Sequence, residues 1–201
     1  MKNTTDNLWQ GLRRIEQLIE APDLDAALKV LRQVEAQVAA AGIDSPHLAW
    51  LRAIVEDNRG DYEAALGSVQ RAIALDPVAP PFRHSFKVIV SHIRESLGVD
   101  RKPSALPVPK LWALLVRAGE ADDGVHLALV RHHIEHKELA DAARVLQALT
   151  TLSPANTEAW ALMLDVALRL DDVETVTVAR LRVATDGVEG IPFVIQRPAN
   201  G

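Results

Sequence analysis

The chain has no cysteine, which excludes disulfides, thiolate metal sites and cysteine nucleophiles while leaving the redox compartment open. Aromatic residues are scarce too, at 4 % of a sequence that is 48 % hydrophobic. A core built on that composition must be mostly leucine, alanine and valine, which suits closely packed helices better than a sheet. No run of about 18 apolar residues is available to cross a bilayer, and the polar opening MKNTTDN does not read as a signal peptide. The expectation is therefore a cytoplasmic protein without membrane insertion. Charge of one sign is never gathered into a block: 22 basic residues face 27 acidic ones, a net of −5, and no nucleic-acid footprint is expected. A glycine-rich phosphate loop, a nucleophile elbow and a calcium loop are all missing. Neither a cofactor nor an enzyme is expected on these grounds.

What is present is helical periodicity, clearest from Pro46 to Pro77. Leu48, Trp50, Leu51, Ile54 and Val55 recur at helical spacing, Gly60 interrupts, and Tyr62, Ala65, Leu66, Val69, Ala72, Ile73 and Leu75 resume the stripe until Pro77. This stretch resembles a tetratricopeptide repeat, in which a small residue ends the first helix, an aromatic opens the second, two alanines allow close packing and a proline closes the unit. Gly60, Tyr62, Ala65, Ala72 and Pro77 stand at those places. The resemblance implies an all-α, tetratricopeptide-like helical hairpin array, a right-handed α-solenoid of about ten helices. It also implies a non-catalytic scaffold that binds a peptide, helix or protein surface.

The same places return at fixed offsets. At 38 residues upstream, Leu24, Ala27, Leu31 and Val34 answer Tyr62, Ala65, Val69 and Ala72; at 77 downstream, Leu139, Ala142, Leu146, Leu152 and Pro154 answer Tyr62, Ala65, Val69, Leu75 and Pro77. Further helices are expected over Leu8 to Ile19, Phe82 to Leu97, Lys110 to Ala118, Asp123 to Glu135 and Thr157 to Leu170. A last one, from Asp172 to about Thr185, aligns either through Val173 and Val176 or through Val176 and Ala179. The expected organisation is a single repeat domain over 1–185 with a proline-rich loop at 99–109, an expanded loop or a hinge, and an extended tail over 186–201. In the tail, Ile191, Phe193, Val194 and Ile195 either cover the last helix or fill a groove of this or another copy, which makes self-association through the tail an expectation to test.

Carried over place by place, the resemblance puts a partner-binding groove on the first helix of each hairpin: His47, Trp50, Ile54, Asp57 and Asn58 centrally, Leu127, Arg131, Ile134 and Glu135 later, and Glu158, Asp165 and Arg169 last. Trp50 stands out because a groove tryptophan joins a large apolar face to a polar edge; its plain structural role would be inter-helix packing. The histidines His126, His132, His133 and His136 invite a metal-binding or enzymatic alternative, but His126 and His133 fall where the family keeps packing residues, and no metal site is expected. A secretion-type escort chaperone is the alternative among binding proteins. Asp122-Asp123 and Asp171-Asp172 read as helix caps, and Glu56-Asp57 as a solvated helix face.

Overall fold

Side-chain caps mark where several of the helices begin. Asp23, Ser45, Asp122 and Asn156 each accept a hydrogen bond from the backbone N–H three residues on, and Pro46 fills the first helical position after Ser45. Gly42, Gly60 and Gly119 end helices in the left-handed region, at φ 65°, 75° and 75°. The computed structural model describes residues 2–98 and 106–187, with side chains from 8 to 98 and from 106 to 184. Among these residues there are ten α-helices and no strand: α1 Lys2–Glu20, α2 Leu24–Ala40, α3 Pro46–Asn58, α4 Tyr62–Leu75, α5 Pro80–Ser96, α6 Val108–Ala118, α7 Asp123–Glu135, α8 Leu139–Leu152, α9 Thr157–Arg169 and α10 Val173–Gly187. The fold is all-α, and within each of its two units consecutive helices pack on one another. No described helix is long and apolar enough to cross a membrane.

The chain divides into two compact units, Met1–Glu120 and Ala121–Gly201, and the division falls inside the span expected as one domain, 1–185. In the first unit α3 packs against α1, α2, α4 and α5. Leu12, Ile15, Leu31, Val34, Leu48, Leu51 and Val55 form its central core. In the second unit α7, α8, α9 and α10 pack in succession around Val130, Leu146, Leu149, Met163, Val166 and Ala179.

The packing places read within the second helices are buried, while the opening residues Leu24, Tyr62 and Leu139 are half-buried and Pro77 and Pro154 exposed. Ala27, Ala65 and Ala142 are fully buried, as are Leu31, Val69 and Leu146; a side chain no larger than a methyl lets each second helix of a hairpin lie close on the first. In α10 the fully buried alanine is Ala179, with Val176 half-buried and Val173 77 % exposed. That settles the register on Val176 and Ala179. Some expectations shift: Leu75 and Leu152, read as part of the apolar stripe, are exposed at 39 % and 74 %, each being the last residue of its helix. Val108 and Pro109, assigned to the loop, form the first turn of α6 behind an extended Pro107, a place that suits proline because its missing N–H is not needed there. The loop residues 99–105 and the tail from 188 onward lie outside the described residues.

Candidate functional site

Helix α3 lies beside α1 and α5 in the first unit, and the residues expected to line a groove are those that pass between these three helices. His47 Nε2 and Glu16 Oε1 of α1 are 3.1 Å apart. Trp50 is half-buried, and its indole N–H donates to Ser85 Oγ of α5 at 2.8 Å. Its ring packs at 5.0 Å from the His47 ring and 5.9 Å from that of Phe82. Asp57 holds His92 Nδ1 at 2.9 Å, and Ile54 packs half-buried against the core. Asn58 is exposed at the end of the helix. This row, at positions 47, 50, 54 and 57, keeps the i, i+3, i+7 spacing of one helical stripe. It is a band of aromatic and polar groups, with His47 39 % and His92 42 % exposed.

On α7 and α9 of the second unit the expected residues separate. Leu127 is buried at 5 % in the core, while Ile134 is half-buried against it. Arg131 and Glu135 are exposed, as are Glu158, Asp165 and Arg169. Arg131 pairs with Glu158 across the two helices, and Arg169 donates to Asp165 one turn back at 3.3 Å. Ion pairs this open contribute about 0–1 kcal/mol each, so they leave charged surface available.

His126, His132, His133 and His136 do not gather into one site. His126 Nδ1 donates to the Asp122 carbonyl and His136 Nδ1 to the His132 carbonyl, each at 2.8 Å. His132 and His136 stack with ring centroids 4.1 Å apart. Burial, then the neighbouring His136 and His133, hold the His132 imidazole below its ordinary range despite Glu138 and Glu135. His133 turns the other way, to Glu138. Neither His126 nor His133 is a core residue; both are half-buried.

Glu56, expected with Asp57 on a solvated helix face, is 6 % exposed, accepting from Arg52 Nε at 2.7 Å and from Ser68 Oγ at 2.6 Å. Arg52 also donates from Nη1 to both oxygens of Glu35. The bonds to Glu35 and Glu56 raise the Arg52 pKa above its usual value. Asp57 is covered as well, its side chain 9 % exposed. Both carboxylates are covered because α3 has neighbours on several sides. Of the acidic pairs, Asp122 and Asp172 cap as expected, whereas Asp123 ties down the start of α9 by accepting from Ser153 and Asn156 at 2.8 Å each. Asp171 takes the left-handed conformation at φ 56°.

No family model matches the chain, and no curated protein matches it. Among solved structures the chain is similar to MamA 41-end from Desulfovibrio magneticus RS-1, at 17 % identity and a TM-score of 0.39, over 90 % of this chain and 94 % of that one. At this identity and score the likeness extends neither to function nor to site residues.

Proposed function

We propose that the protein is a non-catalytic interaction module, which binds a peptide, helix or protein surface on the first helices of its hairpins. The observation that carries this reading is the stripe on α3. His47, Trp50 and Asp57 reach Glu16, Ser85 and His92 on the neighbouring helices, and they leave a half-exposed band of rings and polar groups supported from beneath by a packed core. Such a band joins rigid aromatic area to hydrogen-bonding edges, the combination found at binding hot spots. In the second unit the matching surface is the charged row Arg131, Glu158, Asp165 and Arg169, exposed on α7 and α9. The partner on this reading is a protein or peptide. The tail from 188 onward, with Ile191, Phe193, Val194 and Ile195, is proposed to compete for such a surface.

Capture from native lysate compares the wild type with a Trp50→Ala, Arg131→Ala double variant, both checked for equal helicity. Partners held by the first and lost by the second support the reading. The same partners on both sink it and move attention to the second helices of the hairpins.

A further inference from the structure

The turn between α7 and α8 brings together an imidazole and two carboxylates, those of His133, Glu138 and Asp141. Ahead of α2, α3, α7 and α9, the residue before the helix turns its side chain onto a backbone N–H of the first turn. Like Asp61 ahead of α4, Glu138 ahead of α8 makes no such bond. Its carboxylate lies instead 2.6 Å from His133 Nδ1. Asp141, in the first turn of α8, adds a second carboxylate, and one ligand atom from each of His133, Glu138 and Asp141 lies within 4.8 Å of the other two. The imidazole is largely sheltered, its side chain 15 % exposed, while Glu138 is open to solvent at 48 %.

The fold does not require this cluster. Thirty-four residues on, the turn between α9 and α10 places Ala167, Asp172 and Thr175 at the corresponding positions. The backbone closes alike in both, with Glu138 N–H to the His133 carbonyl at 2.8 Å and Asp172 N–H to the Ala167 carbonyl at 3.0 Å. Asp172 there serves as an ordinary cap, accepting from Thr175 N–H and Oγ1. One imidazole and two carboxylates are thus an addition to a turn that forms without them.

We propose that His133, Glu138 and Asp141 form a binding site for a divalent transition-metal ion of the zinc class, through His133 Nδ1 and one oxygen of each carboxylate. One nitrogen and two oxygen donors suit zinc, and three protein ligands leave positions for water. Donors around a tetrahedral zinc stand about 3.4 Å apart given bond lengths of about 2.1 Å, so the cluster contracts on binding by side-chain rotation. Two existing interactions must yield. The proton between His133 and Glu138 is released, and Arg144, now paired with Asp141, swings into solvent, where 78 % of its side chain already lies. The ion would clamp the α7–α8 turn, a structural role separate from the partner-binding surface.

The test is calorimetric titration of the tag-free full chain with Zn²⁺ alone in a non-chelating buffer, alongside melting curves with and without the ion. The wild type binds one equivalent and melts higher with zinc. His133→Ala and Glu138→Gln each weaken binding by about tenfold or more and abolish the melting shift, with helicity unchanged. His132→Ala and His136→Ala keep both. Absence of binding by the wild type overturns the proposal. So does binding that survives His133→Ala and is lost with His132→Ala or His136→Ala, which would assign the affinity to the stacked surface pair.

Discussion

Lys137 and Gly60 occupy the same corner of two hairpins, 77 residues apart, and both adopt left-handed backbone, at φ 62° and 75°. A side chain there brings its Cβ too near the neighbouring carbonyl, at a cost of about 1–2 kcal/mol. Glycine carries no such cost, and nothing lies within 4 Å of a Cβ added at Gly60, so backbone strain alone decides the effect of substitution. Gly60→Ala is expected to lower unfolding stability by about 1 kcal/mol, and Lys137→Gly to raise it by a similar amount. Urea unfolding of both variants checks the pair of signs. At this scale the sequence is read well where a residue's role is local and poorly where it depends on neighbours from elsewhere. Asp122 and Asp172 were legible as caps because the cap and its N–H are three residues apart. Glu56 was not, because its burial comes from Ser68 of α4 and from Arg52, itself held by Glu35 of α2, which no local pattern reveals.

Among the elements, the fixed offsets of 38 and 77 carried most of the information. They located Ala27, Ala65 and Ala142, all with no exposed surface, because hairpins that pack alike put the same demand on the same place. Ala142→Leu is therefore expected to overpack the α7–α8 contact and cost about 1–3 kcal/mol, read as a lower melting temperature with helicity retained. The reverse substitution at an exposed site, Leu152→Ala, should leave stability nearly unchanged. The offsets said less about α10, where Ala179 is buried three residues later than an interval of 34 from Ala142 would place it. Its register depends on which face meets α9, and that is a tertiary matter. The face of α3 was half legible: the stripe through Trp50 was evident, but not that the indole N–H is engaged by Ser85. The two helices share no sequence signal that would pair those residues.

For the molecule as a whole, composition settled the class. Few aromatics, many alanines and leucines and no cysteine pointed to packed helices, and ten are present among the described residues. The division at residue 120 was not read from the sequence. Periodicity reports how helices pack with their neighbours and is silent on where a core ends. Since the second unit has its own buried cluster, the fragment 121–201 is expected to be helical and to unfold cooperatively by itself. A fragment without a cooperative transition would mean that this unit depends on the first.

The central claim is that partners bind on the first helices of the hairpins, α3 above all, and site-specific photo-crosslinking tests it most directly. A photoreactive phenylalanine is placed at the exposed Asn58 on α3 and, for comparison, at the exposed Gln70 on α4, neither of which disturbs a buried contact. The account predicts a crosslinked protein adduct from position 58 and none from position 70. An adduct from position 70 with none from position 58 would contradict it and put the binding surface on the opposite helices.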